Sequence, residues 1–442
     1  MLDLRYKTIL GVALPMMVSG FIQSIVLITD AAFVSRISTE AFDAVGNGGL
    51  LFVTLNMMVV GMGDGAQIII ARRIGENRLS VIGRVFGTSI LTHVIIAIIL
   101  FLFLYLFIPD WVVSYSSNKA VAYLQGDFIR IRSFALFFSM ITISINAFYM
   151  AEGKTWVVLV GSIITALSNV VLDYGLVFGN LGLPALKMEG AALASTIADG
   201  LGMFFLVVYL IYSSERKKYS LFSHFSFDLA SSKELLKVGS PLMLQGFSAL
   251  ATWTLFFTWL EQKGQFDLTV SQNIRSIYFL AFVPIWGFAG TTKTYISQYL
   301  GAKEFDKISI IQRRIQIMTV LFLLFCFHGA IFYPESLIRF INPHEIYVKK
   351  SAEILQLITF SILFYGLISV YFQTIHGSGN TIHSMLIEMS SVAVYSFCSY
   401  LFIKVWSFDV YWIWSVEYVY FLMLGVLSLL YLSVFNWKNK SV

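Results

Sequence analysis

The chain has 442 residues, of which 58% are hydrophobic and only 12% are charged, and its formal net charge is +5. A soluble domain carries about 25% charged residues, so these charges are too few to cover a soluble protein of this length. Composition therefore predicts an all-α integral membrane protein, with the bilayer as solvent for most of the chain. In such a protein the excess positive charge is expected in cytoplasmic loops and not at a nucleic-acid site.

Apolar runs of about 20 residues, the length at which a helix crosses the hydrocarbon core, recur along the chain. The first six predicted spans are 8–33, 48–71, 86–108, 128–150, 156–179 and 188–212. After a polar, basic segment, the other six are 238–260, 271–299, 312–333, 352–375, 382–403 and 410–435. The pattern predicts two six-helix lobes, residues 1–212 and 238–442, joined by a cytoplasmic linker, residues 213–237. The segment before the first span lacks a small-residue cleavage site, so that span is expected to remain in the protein.

Lysine and arginine are distributed unevenly between the two sets of loops. Of the 30 in the chain, 18 lie in the two termini and every second loop or at their edges, whereas the opposite loops hold 8. Because basic residues accumulate on the cytoplasmic side of membrane proteins, both termini and the linker are expected in the cytoplasm.

An internal repeat relates the two halves. Residues 7–21 (KTILGVALPMMVSGF) align with residues 233–247 (KELLKVGSPLMLQGF) at an offset of 226, and seven of the fifteen positions are identical. The same offset pairs further positions: Asn47 with Asn273, Gly75 with Gly301, and Gly153 with Gly379. Each half has an even number of helices, so the halves have the same orientation in the membrane. This pseudo-symmetric arrangement is typical of secondary transporters, which bind substrate between their repeats.

Polar side chains inside the predicted spans are the main candidates for function, because each costs free energy in the bilayer. Asn169 and Asp173 are four residues apart and therefore share a helix face. Carboxylate, amide and hydroxyl oxygens suit a proton or Na⁺. The predicted cation-coupling set, with Asp30, Asn169 and Asp173 as the residues for Na⁺, is Asp30, Asn146, Asn169, Asp173, Ser195 and Thr196.

The second half lacks this set at the equivalent positions. At the offset of 226, Asp30 pairs with Phe256, Asn169 pairs with Tyr395, and Asp173 pairs with Ser399. The polar set is therefore not needed to build the fold, and it is interpreted as a site added to one half. Further candidates, which either line a cavity or only form hydrogen bonds between helices, are Gln23, Asp199, Glu388 and Glu417.

Three stretches together resemble the multidrug and toxic compound extrusion (MATE) family of the MOP flippase superfamily. They are LPMMVSGFIQSIVLITDAAFVSRIS, GMGDGAQIIIARRIGENR and NVVLDYGLVFGNLGLPALKMEGAALAST. The resemblance covers nearly the whole chain. It implies a cation site at Asp30, Asn169, Asp173 and a hydroxyl at Ser195 or Thr196. The absence of an acidic residue in the middle of spans seven and ten favours the DinF-like branch over the NorM-like branch.

The resemblance implies a multidrug or metabolite efflux antiporter coupled to H⁺ or Na⁺, working by rocker-switch alternating access. It is expected to be a monomer in the cytoplasmic (inner) membrane, without a cofactor, and to transport small organic compounds, including cations. One alternative is a lipid-linked oligosaccharide flippase of the same superfamily, against which the few basic residues in the spans argue. A membrane-embedded enzyme is the other, against which the absence of HExxH and GxSxG motifs argues.

Overall fold

The computed structural model describes residues 1–116, 118–223 and 227–438, and the regular structure in these ranges is entirely helical. The helices of the first half are α1 (Tyr6–Val34), α2 (Thr39–Gly75), α3 (Leu79–Leu102), α4 (Ile108–Tyr115), α5 (Lys119–Ser133), α6 (Ala135–Glu152), α7 (Thr155–Phe178), α8 (Lys187–Tyr212) and α9 (Glu215–Lys218). Those that follow are α10 (Leu229–Lys263), α11 (Gln265–Gly301), α12 (Ile308–Phe332), α13 (Pro334–Ile341), α14 (Glu345–Gly377), α15 (Thr381–Tyr400), α16 (Val410–Trp414) and α17 (Val416–Val434). Short π-helical segments follow α3 and α15, at Phe103–Phe107 and Leu401–Val405.

Eleven helical segments in the described ranges are long and apolar enough to cross a membrane. They confirm the prediction of an all-α integral membrane protein. The predicted seventh span, 238–260, lies within α10, which is 35 residues long but is not among these eleven. Serine, threonine and glutamine side chains make α10 less apolar, although it is long enough to cross a membrane.

The internal repeat is reproduced in the backbone. Helices α2 and α11 both have 37 residues, and their ends are displaced by the predicted 226 residues. Gly153 and Gly379, a repeat pair, both adopt positive φ, at 85° and 78°. A residue without a Cβ is favoured at such a left-handed position. The repeat therefore conserves helix ends as well as apolar runs.

Contacts divide the chain into two compact units. The first unit is Leu14–Met243, and the second combines Met1–Ala13 with the chain from Leu244 onward. The divisions fall within α1 and α10, close to Pro15 and Pro241, where proline removes a backbone hydrogen bond from the helix. The lobe boundaries expected from the sequence stay a prediction.

The fourth predicted span, 128–150, is interrupted in the structure. It consists of the end of α5 and most of α6, with a break at Phe134. The hydroxyl of Ser133 donates a hydrogen bond to the carbonyl oxygen of Arg130 at 2.7 Å. The equivalent region of the second half is the uninterrupted helix α14, so the break is a local feature of the first unit, next to its candidate site.

Candidate functional site

Four of the predicted residues lie together in the first unit. Asp30 is near the end of α1, Asn169 and Asp173 are on one face of α7, and Ser195 is on α8. The amide Nδ2 of Asn169 donates to Ser195 Oγ at 3.1 Å, and this hydroxyl approaches Asp30 Oδ2 at 3.4 Å. The carboxyl groups of Asp30 and Asp173 are close enough to interact electrostatically. These four residues are named here the first-unit cluster.

The first-unit cluster contains oxygens without hydrogen-bond donors. Asn169 and Asp173 are buried, with exposed fractions of 1% and 0%. Among the described residues, no donor reaches Asp30 Oδ1, Asn169 Oδ1 or either carboxyl oxygen of Asp173. Buried acceptors in native proteins almost always have a partner. Four such oxygens from three adjacent side chains are therefore suited to a proton or a small cation.

Helix α7 places the central pair. The four-residue spacing of Asn169 and Asp173 puts both side chains on the same face, as predicted from the sequence. The helix continues little more than one turn beyond Asp173 and ends at Gly179, which has a φ of 78°. A left-handed glycine is a common way to end a helix, and here it turns the chain toward α8, which carries Ser195.

The other predicted residues have different environments. Thr196 Oγ1 donates to the carbonyl oxygen of Ala192 in its own helix at 2.8 Å, so Ser195 is the α8 hydroxyl that contacts the carboxylate. Asn146, on α6, has a buried Oδ1 without a hydrogen-bond partner among the described residues. Gln23 is exposed on α1.

An arginine that the sequence analysis did not single out lies beside the cluster. Arg132, in the last turn of α5, pairs with Asp199 at 3.1 Å between Nη1 and Oδ2. Its guanidinium carbon lies 4.3 Å from the centroid of the Phe52 ring, and its charge acts on both Asp30 and Asp173. The signal in the sequence was weak, because arginine near the end of a predicted span usually extends to the interface.

The two glutamates of the second half are buried within the second unit. Glu388 on α15 is 3% exposed and Glu417 on α17 is 2% exposed. Each accepts a hydrogen bond from at least one tyrosine hydroxyl. Whether they line a transport cavity stays a prediction. No group of three or more His, Cys, Asp or Glu with the arrangement of a metal site occurs in the part of the chain that the structure describes.

Comparison with known families connects this architecture to transport. The MatE family model matches residues 15–175 and 241–401. These ranges are displaced by the 226 residues of the internal repeat and together cover more than half of the chain. The fold is that of a two-lobed helical transporter, and the chain belongs to the MatE family. It is accordingly a multi-pass membrane transporter and not an enzyme.

Relatives and solved structures agree. The chain is 23% identical over 448 aligned residues to the probable multidrug resistance protein NorM of Thermotoga maritima, covering 99% of this chain and 94% of the relative. It is 20% identical to the probable multidrug resistance protein YoeA of Bacillus subtilis, covering 86% and 82%. A multidrug resistance MATE family transporter in an outward-facing conformation superposes with a TM-score of 0.86 at 17% identity, covering 99% and 97%. A MOP superfamily transporter from Pyrococcus furiosus gives 0.87 at 18% identity, with the same coverage.

The family prediction is therefore confirmed. The two lobes and twelve helices of the MATE structures agree with the fold predicted from the sequence. The bacterial relatives with NorM names do not support the predicted preference for the DinF-like branch, and the choice of branch stays a prediction.

Proposed function

We propose that this protein is a secondary-active antiporter that exports small organic compounds, including cations, in exchange for H⁺ or Na⁺. It works by rocker-switch alternating access as a monomer in the cytoplasmic membrane, with both termini in the cytoplasm. The coupling ion binds at Asp30, Asn169, Asp173 and Ser195. The observation that carries this proposal is the set of buried oxygens in the first-unit cluster that no described donor reaches.

The chemistry of these oxygens supports a cation. Two carboxyl groups that interact at close range repel each other when both are ionised, and burial strengthens that repulsion. A proton on one of them, or a cation between them, removes it. Asn169 and Ser195 add neutral oxygens, which complete the coordination of a hard cation beside the carboxylates. Occupancy of this cluster then changes the local charge, which favours one conformation of the transporter over another.

The class of substrate is supported by the relatives, which are named multidrug resistance proteins. Broad recognition of organic compounds is typical of pockets lined by adaptable apolar side chains, and the chain holds 40 Phe, 22 Tyr and 15 Met. The flippase alternative requires basic side chains to hold a pyrophosphate. The basic residue beside the first-unit cluster, Arg132, is already paired with Asp199.

The test is transport by purified protein in liposomes, with a pH gradient or a Na⁺ gradient imposed separately and a panel of fluorescent dyes as substrates. Asp173→Asn is expected to abolish gradient-driven dye transport, because a neutral amide cannot exchange a proton and binds Na⁺ weakly. Membrane insertion is expected to be unchanged, since the second half builds the same scaffold with Ser399 at the equivalent position.

The matched control is Asp110→Asn. Asp110 is exposed, at 85% of its side chain, and its closest basic partner is Arg130 at 3.7 Å, so its neutralisation is expected to leave transport unchanged. Normal gradient-driven efflux by the Asp173→Asn variant would refute the assignment of the ion site. Transport driven by only one of the two gradients identifies the coupling ion.

A further inference from the structure

Glu417 has an unusual environment for a carboxylate. It lies in the first turn of α17 and is 2% exposed. Both carboxyl oxygens accept hydrogen bonds, from Tyr278 Oη at 2.5 Å and from Tyr395 Oη at 3.1 Å. The side chain of Trp253 also interacts with this carboxyl group. Tryptophan and tyrosine side chains from three helices, α10, α11 and α15, thus surround the carboxyl group of Glu417 on a fourth helix, α17.

Glu388 forms a similar arrangement nearby in the same unit. Tyr420 Oη donates to Glu388 Oε1 at 2.6 Å, and Gln245 also interacts with the Glu388 carboxyl group. The rings of Tyr395 and Tyr420 meet edge to face, with centroids 5.8 Å apart. Since each of these tyrosines binds one of the glutamates, the two carboxyl groups belong to one buried cluster, named here the second-unit cluster.

Among the described residues, no basic side chain forms an ion pair with either carboxyl group of the second-unit cluster. The titratable side chains that act on the two carboxyl groups are Tyr278, Tyr365, Tyr395 and Tyr420, from α11, α14, α15 and α17. His376 on α14 contacts the Gln245 side chain, with 3.3 Å between the two Nε2 atoms. The guanidinium of Arg275 lies over the Phe257 ring, 4.9 Å from its centroid. Two ionised carboxylates surrounded by rings and hydroxyl groups are costly in a membrane protein.

The cluster occupies the repeat position of the first-unit site. Tyr395 is the repeat partner of Asn169, and Phe256, the partner of Asp30, packs on Tyr395 with centroids 5.9 Å apart. The acid itself comes from α17, which lies beyond the region matched by the family model. Aligning the two halves at the repeat offset therefore gives no carboxylate beside Tyr395, although in the structure Glu417 of α17 contacts this tyrosine.

We propose that Glu417 and Glu388 form a second proton-binding site, located in the second unit. It is additional to the ion site of the proposed function and does not depend on it. A proton is the cation that fits, because both oxygens of Glu417 are already hydrogen-bonded and the surrounding rings are tightly packed. Phe256 and Trp414 are fully buried, with centroids 5.4 Å apart. A tyrosine hydroxyl both donates and accepts hydrogen bonds. It can therefore remain hydrogen-bonded to Glu417 in both the protonated and the ionised state of the glutamate.

The test is infrared spectroscopy of the purified full chain in lipid nanodiscs as a function of pH. A protonated carboxyl group has a carbonyl band that is separate from the amide bands and disappears on ionisation. Wild-type protein is expected to show a buried-carboxyl band that titrates, and Glu417→Gln is expected to lose one component of it. The component assigned to Glu388 should disappear in Glu388→Gln. Glu353→Gln, a change at an exposed glutamate on α14, should leave the buried bands unchanged.

A second variant keeps the proposal testable if Glu417→Gln does not fold. Tyr278→Phe retains the ring and the acid but removes one hydrogen bond, and it should move the pH at which the Glu417 component disappears by about one unit. A spectrum of Glu417→Gln or Tyr278→Phe identical to wild type at every pH would overturn the proposal. The outcome is independent of the first-unit cluster, because Asp173→Asn should abolish dye transport and leave the Glu417 and Glu388 components unchanged.

Discussion

Both oxygens of Asp173 in the first unit are buried without a hydrogen-bond donor, whereas both oxygens of Glu417 in the second unit accept hydrogen bonds from tyrosine hydroxyls. The two carboxyl groups lie near equivalent positions of one repeat, next to Asn169 and Tyr395 respectively. An arginine acts on the first cluster, and aromatic rings enclose the second. The same helical scaffold thus supports an open set of oxygens in one half and a hydrogen-bonded set in the other.

This difference indicates that the two clusters are suited to different cations. A carboxyl group whose oxygens have no donor is available to an incoming cation, while a carboxyl group whose two oxygens each accept a hydrogen bond is available to a proton at most. The first-unit cluster is accordingly suited to a proton or Na⁺, and the second-unit cluster to a proton. Exchange of residues between repeat positions is the direct way to test this interpretation.

The largest effect is expected from exchanging Asp173 and Ser399, which are repeat partners. Ser399→Asp places a carboxylate beside Tyr395 at a position with no exposure, and it should destabilise the protein by about 3–5 kcal/mol, the typical cost of an uncompensated buried charge. Asp173→Ser removes a carboxylate without donors and should not lower stability. Thermal unfolding in one detergent, followed for both variants beside wild type, measures the two changes.

If Asp173→Ser lowered the unfolding temperature as much as Ser399→Asp does, the Asp173 carboxylate would be needed for the stability of the first unit. The comparison between the clusters would then be wrong, since the carboxylate of the first unit would be part of the scaffold. Ser399→Ala is the matched control, because it removes the hydroxyl without adding charge.

A smaller effect is expected at the ion pair that borders the first-unit cluster. Arg132 and Asp199 are partly buried, with 13% and 27% of their side chains exposed. A double-mutant cycle with Arg132→Gln and Asp199→Asn should give a coupling energy of about 1–3 kcal/mol in thermal or chemical unfolding. The neighbouring pair of Arg130 and Asp127, at 3.7 Å and about half exposed, is the control, with an expected coupling of about 0–1 kcal/mol.

Arg132→Gln should also alter the pH or Na⁺ dependence of transport, because the arginine charge acts on both Asp30 and Asp173. The corresponding change at Arg130 should not alter it. An equal coupling energy for the two pairs, together with an unchanged ion dependence in Arg132→Gln, would contradict this role. The pair of Arg132 and Asp199 would then contribute no more than an exposed ion pair.

The smallest effect is expected at an ion pair outside both clusters, between Lys154 and Glu215. Burial by itself raises the pKa of Glu215, but the Lys154 ammonium, together with hydrogen bonds from the backbone and Ser213, outweighs burial and leaves this pKa below its ordinary value of 4.5. Burial likewise lowers the pKa of Lys154, and the carboxylates of Glu215 and Glu152 outweigh it, so that the pKa is above 10.5. The stabilisation by Glu215 is therefore lost as pH falls through its folded-state pKa, and that by Lys154 is lost as pH rises through its own.

Lys154→Met should weaken the attachment of α9 by about 1 kcal/mol and increase the rate of limited proteolysis in the segment around α9 roughly fivefold at neutral pH. The difference from wild type should decrease below pH 4.5. Lys217→Met, at an exposed lysine of the same short helix, should be cleaved at the wild-type rate. Equal cleavage of the Lys154→Met variant and wild type at neutral pH would contradict the role of this pair.

Much of the molecule follows from the sequence alone. Apolar runs of membrane-spanning length predict the helices because the bilayer leaves the backbone no other way to satisfy its hydrogen bonds. The offset of 226 predicts the repeat, and the spacing of Asn169 and Asp173 predicts a shared face. These properties are local or periodic, so they can be recognised without knowing which helices are neighbours.

Only the tertiary structure decided how side chains from distant helices combine. It placed Ser195 and not Thr196 against Asp30, brought Arg132 to the edge of the first-unit cluster, and inserted Glu417 between tyrosines of α11 and α15. Each of these outcomes depends on helix rotation, and the position of Arg132 also depends on the break at Phe134. Both are set by packing between residues far apart in the chain. Hydropathy and repeat spacing contain no information about such contacts, because they describe each helix separately.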